Sequence, residues 1–212
     1  MATCYIFAAG SFYGLTECPS DGDFIIAADA GLKHCAEAQL TPDLILGDFD
    51  SLGRAPEGGN VLQLPVEKDD TDTIYAMRVG LERGYDDFVI YGGTGGSRAD
   101  HTIANLQGLL FLSSHGAHCR MYGNGVVWSV LHNEKVSFPA GCCGTLSLFC
   151  MDGAARGVTI RGLKYELSGA ELRSDFPVGV SNSFTGAAAS VSVADGTLIM
   201  THDIFGEAYD KI

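Results

Sequence analysis

Short apolar runs alternate with segments of helical spacing over about the first 130 residues, and there the alternation stops. The runs are Tyr5–Ala9, Phe24–Ala28, Leu44–Leu46, Val61–Leu64, Phe88–Tyr91 and Cys119–Tyr122. Between them, Leu32, Cys35, Ala36 and Leu40 mark one apolar helix face. Ile74, Met77 and Leu81 mark a second, and Ile103, Leu106 and Leu110 a third. Such alternation predicts a mainly parallel sheet with helices packed on it, an α/β domain over residues 1–132. Ligands of these sheets bind at the carboxyl ends of the strands, so the loops leaving the runs are where chemistry is expected. From His132–Phe138 onward no helical period persists. Alternating runs at Thr145–Phe149, Gly157–Arg161, Ala188–Val193 and Thr197–Thr201 lie between glycine-rich turns. Residues 133–212 are expected to form a small all-β sandwich, short enough to lean on the first domain, on a second subunit, or on both.

Composition narrows the function classes. Hydrophobic residues make up 46% of the 212 and charged residues 18%, which suits a packed core and argues against disorder. The formal net charge of −13 argues against nucleic acid or an anionic membrane as the main partner. Any anion bound by this chain must be held by local donors or by a metal. No apolar stretch approaches the roughly 18 residues of a membrane span. The start, Met1-Ala2-Thr3-Cys4-Tyr5-Ile6-Phe7, reads as a first strand and not as a signal peptide, so a cytoplasmic location is expected. Seven cysteines without a CxxC pair point to buried thiols, not to a disulfide framework or a zinc site.

Three segments carry candidate chemistry. Gly47-Asp48-Phe49-Asp50-Ser51 follows the run Leu44–Leu46, and carboxylates at i and i+2 share a direction on extended backbone. Asp48 and Asp50 there suit Mg²⁺, which takes one or two carboxylates and fills its shell with water and phosphate oxygens. A turn in which Asp and Ser cap their own backbone explains the same residues. Glu67-Lys68-Asp69-Asp70-Thr71-Asp72-Thr73 precedes the second helix. Asp69 or Thr71 can cap it, yet four acidic residues are more than a cap needs, and a bound cation beside Lys68 would relieve their repulsion. Gly92-Gly93-Thr94-Gly95-Gly96-Ser97-Arg98-Ala99-Asp100-His101 joins the fifth run to the third helix. Its glycines let backbone approach a bulky anion, the helix N-terminus aims N–H groups at it, and Arg98 offers a forked donor. The segment is neither a Walker A sequence nor a Rossmann fingerprint. Asp29, ending the second run, can contact a ribose or a metal or cap the first helix. The other histidines, His34, His115, His118, His132 and His202, show no ligand spacing and are expected to be surface or core fillers.

Taken in order, Asp29-Ala30-Gly31, Gly47–Ser51, Lys68–Asp72, Gly92–His101, Gly162-Leu163-Lys164-Tyr165 and Ser181-Asn182-Ser183-Phe184 resemble the thiamine pyrophosphokinase family. The resemblance implies transfer of pyrophosphate from ATP to the hydroxyl of thiamine, giving thiamine diphosphate and AMP. It also implies an α/β domain followed by a β sandwich, and a homodimer with thiamine at the subunit interface. On that pattern Asp48, Asp50 and Asp72 gather Mg²⁺ and orient the reacting groups. Lys68, Asp69 and Thr71 share the motif, and Asp29 matches as well. Gly92, Gly93, Thr94, Gly95, Gly96, Arg98, Asp100 and His101 form the nucleotide-side loop, and Ser181 and Asn182 the thiamine-side loop. Two departures stand out: Ser97 separates the glycines from Arg98, and Met200 stands near where some members place a tryptophan. The clustered aspartates would equally serve a metal-dependent phosphohydrolase, and the same binding loops a non-catalytic nucleotide or thiamine sensor.

Overall fold

The first strand, β1 (Cys4–Phe7), is buried along its whole length, as is β2 (Phe24–Ala28). Continuous apolar runs of this kind are what a central parallel strand needs, because both of its faces are covered. A computed structural model of the chain describes residues 2–49, 56, 58 and 60–204. These fall into two compact units, Met1–Asn124 and Gly125–Ile212.

In the first unit, β3 (Leu44–Gly47), β4 (Val61–Gln63), β5 (Asp87–Tyr91) and β6 (His118–Tyr122) join β1 and β2 in the order β6-β5-β1-β2-β3-β4. Every pairing is parallel. Helix α1 (Gly31–Glu37) joins β2 to β3, α2 (Asp72–Glu82) joins β4 to β5, and α3 (Ala99–Ser114) joins β5 to β6. The chain lays β2, β3 and β4 on one side of β1, then returns to place β5 and β6 on the other. That reversal opens a crevice outside the carboxyl ends of β1 and β5, where open parallel sheets bind ligands. A Cβ on Gly80 of α2 would meet the Phe88 ring at 2.5 Å, so only glycine lets this helix sit so close to the sheet.

In the second unit, β7 (Val126–His132), β9 (Thr145–Cys150), β14 (Thr197–Asp203) and the two-residue β12 (Asn182–Ser183) form one antiparallel sheet. The other sheet contains β8 (Lys135–Phe138), β10 (Ala154–Arg161), β11 (Leu167–Arg173) and β13 (Ala189–Ser192), again antiparallel. Leu131, Leu146, Leu148, Leu198 and Met200 from the first sheet share one core with Phe138, Val158, Ile160, Leu172 and Val191 from the second. The fold class is the one read from sequence. The boundary is not at 132/133: the units divide at Asn124/Gly125, because Val126–His132 pairs along its length with Thr197–Asp203. Among the described residues no helix is long and apolar enough to cross a membrane.

Candidate active site

The loops leaving β1 and β5 are stitched together by their backbones. Gly10 N donates to Gly92 O at 2.7 Å, Ser11 N to Thr94 O at 2.8 Å, and Gly96 N to Ser11 Oγ at 3.0 Å. A Cβ on Gly10 would collide with the carbonyl oxygens of Gly92 and Thr94, so the close approach requires glycine at that position. Two side chains hold the pair of loops from behind. Asn105 of α3, only 4% exposed, donates through Nδ2 to Gly93 O at 2.8 Å. His34 of α1 reaches Gly10 O with Nε2 at 2.8 Å and stacks on Phe12 at 5.3 Å between centroids. Because a carbonyl only accepts, Nε2 carries the proton there. His34 is thus a clamp on the glycine loops and not the filler expected from sequence.

The acidic side of the crevice comes from β2, β3 and the start of α2. Asp29 is buried with φ 50, its N–H bonded to Leu46 O at 2.8 Å. Asp48 follows β3, and the next residue, Phe49, is 2% exposed with φ 60. Left-handed backbone at a bulky residue is strained and persists only where packing enforces it. Thr71 caps α2, its Oγ1 accepting from Ile74 N at 3.3 Å, which sets Asp72 in the first turn. The Lys68 ammonium lies between the two carboxylates. Nζ is 3.0 Å from Asp48 Oδ2 and 3.0 Å from Asp72 Oδ1, and it also donates to Pro65 O at 3.2 Å. The contact to Asp72 is an ion pair as well, so one ammonium is shared by both carboxylates.

Burial pushes the Asp72 carboxyl above its ordinary range, and the nearby negative charges of Asp48 and Asp29 add to this, outweighing the lowering by Lys68. Lys68 itself is pulled down by desolvation, but its contacts with Asp48 and Asp72 prevail and hold it above its ordinary value. At the other rim Arg98 forks onto Asp100, Nε to Oδ1 at 3.0 Å and the second terminal nitrogen to Oδ2 at 2.7 Å, which draws the exposed Asp100 down to about 2.

Both sides face one cleft of about 590 Å³. Of the residues singled out in the sequence, Asp29, Asp48, Lys68, Thr71, Asp72, Gly92, Gly93, Gly95, Gly96, Arg98 and His101 line it. Asp69, Thr94 and Asp100 do not. Asp69 is exposed in the turn before α2, the Thr94 carbonyl is taken by Ser11, and Asp100 is engaged by Arg98. Asp50 lies outside the described residues. Sequence reasoning missed Gly10 and Asn105, which also line the cleft. Among the described residues no three His, Cys, Asp or Glu side chains gather closely enough to hold a metal alone. Asp48 and Asp72, two carboxylates drawn to one ammonium, do fit Mg²⁺, whose remaining ligands are usually water and phosphate.

The family model for the thiamin pyrophosphokinase catalytic domain matches residues 16–121, and that for the vitamin B1 binding domain matches residues 132–198. The chain belongs to the thiamin pyrophosphokinase family. It is similar to a thiamine pyrophosphokinase of Bacillus subtilis, 28% identical over 191 residues that cover 82% of this chain and 85% of that protein. Its fold is similar to the crystal structure of a Bacillus subtilis thiamine pyrophosphokinase (TM-score 0.82, 24% identity, 95% of this chain and 98% of that one). A thiamin pyrophosphokinase family protein from Enterococcus faecalis is similar as well (TM-score 0.79, 26% identity, 97% and 100% covered).

In the unit matched by the B1-binding model, Ser181 has φ 58 and donates its N–H to Ser147 Oγ at 2.9 Å. Asn182, 3% exposed, accepts from Tyr165 N at 2.9 Å and donates to Tyr165 O at 2.7 Å. Its amide therefore fixes the Gly162–Tyr165 turn, another of the family segments. Met200 is 3% exposed within the sandwich core, while Trp128 pairs with the neighbouring Thr201 and stacks on Phe149 at 6.1 Å. Met200, near the position where some members place a tryptophan, thus belongs to the sandwich core.

Proposed function

We infer that this chain transfers the pyrophosphoryl group of ATP to the hydroxyl of thiamine, releasing AMP and thiamine diphosphate. The observation that carries the reading is the meeting of Asp48 and Asp72, through Lys68, in the same cleft as the glycine loops. Carboxylates far apart in sequence and a backbone cradle for phosphate are the two parts that such a transfer needs.

The thiamine hydroxyl oxygen forms a bond to Pβ, and the bond from Pβ to the oxygen bridging to Pα breaks. The electron pair and that oxygen leave on AMP. Backbone N–H groups of the glycine loops and the start of α3 hold the phosphates, with Asn105 and His34 keeping those loops in place. Magnesium, held by Asp48 and Asp72 with Asp50 of the same motif, would offset phosphate charge and present Pβ to the acceptor. A carboxylate, Asp72 or Asp50, takes the hydroxyl proton or orients it. Thr71 holds Asp72 at the helix start, and Asp29 lines the same cleft.

The reading extends to a homodimer in the cytoplasm with thiamine at the subunit interface, contacted by the segment of Ser181 and Asn182. Phe176, Val178 and Val180, at 67%, 40% and 43% exposed, supply apolar surface in that unit for a partner. Sedimentation at micromolar protein, giving twice the chain mass, would support this, and a monomer would remove it.

The deciding assay combines the protein with ATP, Mg²⁺ and thiamine. AMP and thiamine diphosphate appear in equal amounts, and AMP formation requires thiamine. Phosphate release without thiamine would instead make the chain a hydrolase.

A further inference from the structure

We propose that Lys68 is a built-in counter-ion that keeps a free divalent cation out of the Asp48–Asp72 pair until a polyphosphate arrives. The proposal rests on the reading that this cleft takes a nucleotide with its metal, and it adds an order of binding to it.

The ammonium is placed where a cation would be bound. It lies 3.0 Å from one oxygen of each carboxylate, and the three side chains are 14%, 14% and 19% exposed. Charges so sheltered are weakly screened by salt, so the lysine and a divalent ion cannot share those oxygens without strong repulsion. The lysine is also anchored by the Pro65 carbonyl at 3.2 Å, which sets its resting position within the acidic group. Free metal must therefore displace an ammonium that has nowhere better to go.

A polyphosphate changes that balance. Seated against the glycine loops that line the same cleft, its oxygens would offer the ammonium, on its flexible four-carbon stem, a new anionic partner. Once Lys68 turns to phosphate, Asp48 and Asp72 are left to the metal that travels with the nucleotide. Arg98 is built the same way, its guanidinium forked onto Asp100 at the opposite rim. Lys68 and Arg98 thus both rest on the protein's own carboxylates. In an acidic chain this avoids standing positive sites that would collect arbitrary anions, and it avoids a standing metal site that would collect arbitrary cations.

The test measures Mn²⁺ binding by electron paramagnetic resonance and calorimetry on the full chain without nucleotide. Wild-type protein binds Mn²⁺ weakly, and Lys68→Met binds it at least about 10-fold tighter because the two carboxylates have lost their counter-ion. Lys68→Gln shows the same gain, Lys68→Arg stays near wild type, and Asp72→Asn added to Lys68→Met removes the gain. Unchanged or weaker Mn²⁺ binding in folded Lys68→Met or Lys68→Gln would overturn the proposal. So would wild-type affinity tighter than about 10 μM without nucleotide, a result that needs no variant. Product formation by the wild type is followed in parallel. Thiamine diphosphate formed while the lysine variants show no gain removes only the counter-ion role, and the gain without any product removes only the proposed reaction.

Discussion

Asn105 Nδ2 donates to the Gly93 carbonyl at 2.8 Å from a side chain that is almost wholly buried, so one amide on α3 ties the glycine-rich loop to the helix that follows it. Asn105→Leu keeps the branching of the side chain and removes the donor, leaving a buried carbonyl unsatisfied at a cost of about 1–3 kcal/mol. The expected result is a KM for ATP raised about 10-fold with the KM for thiamine little changed, read from initial rates. Equal changes in both would mean that the clamp serves general stability and not the nucleotide side.

Gly10→Ala places a methyl group against the Gly92 and Thr94 carbonyls and forces the loops of β1 and β5 apart. Overpacking of this kind costs about 1–3 kcal/mol, and here it falls on the cradle. Calorimetric titration with a non-hydrolysable ATP analogue is expected to show loss of binding while the circular dichroism spectrum is kept. Gly14→Ala, at φ +87 but with open space around it, is the control. It carries only a backbone penalty of about 1 kcal/mol and retains nucleotide binding.

Asp72→Asn keeps the shape of the helix start, and the Thr71 cap is untouched. Turnover is expected to fall at least about 100-fold, while thermal stability changes little. Full turnover with both substrates bound would strike Asp72 from the reacting group.

A second ion network lies away from the cleft and controls acid stability. Arg120 pairs with Asp87 at 2.9 Å and with Glu17 at 3.1 Å. Burial pushes Asp87 up, but its bonds to Arg120 and to Thr3 prevail, so its carboxyl titrates below the ordinary 3.8. The folded state therefore binds this proton less readily than the unfolded chain does. The resulting stability is present above pH 3.8 and is lost as pH falls through the lower folded value. Melting temperatures of wild type and Asp87→Asn between about pH 2 and 6 should differ most at the upper end and converge at the lower. A constant gap across that range would contradict the linkage.

All six strands of the first unit were legible in the sequence; the central ones are buried, continuous apolar runs that need no partner to be read, and the edge strand β4 was legible by its short run although it is not buried. The three helices were legible as helices, but the face marked on the third is not the buried one: Ile103 is exposed, while Asn105, Gly108, Leu109 and Leu112 are buried. What was missed in the second unit was decided by distant chain. Val126–His132 is a strand because Thr197–Asp203 pairs with it, and Leu167–Arg173 has only Leu172 fully buried and so carries little pattern. In the site, the acidic segments and the glycine loop announced themselves by composition. Gly10, His34 and Asn105 did not, since each acts through a single contact to a backbone carbonyl elsewhere in the chain. No local spacing encodes such a contact.

Phe49 gives the acidic segment its direction. Its ring is sunk in the core while its backbone is held left-handed, immediately after Asp48. The phenyl group works as a pivot pin: however the ring seats, the neighbouring carboxylate must swing with it. Substitutions in the apolar interior can therefore shift the Asp48 carboxylate without touching a single polar atom, and a search for activity-altering variants that samples only the cleft lining would pass over them.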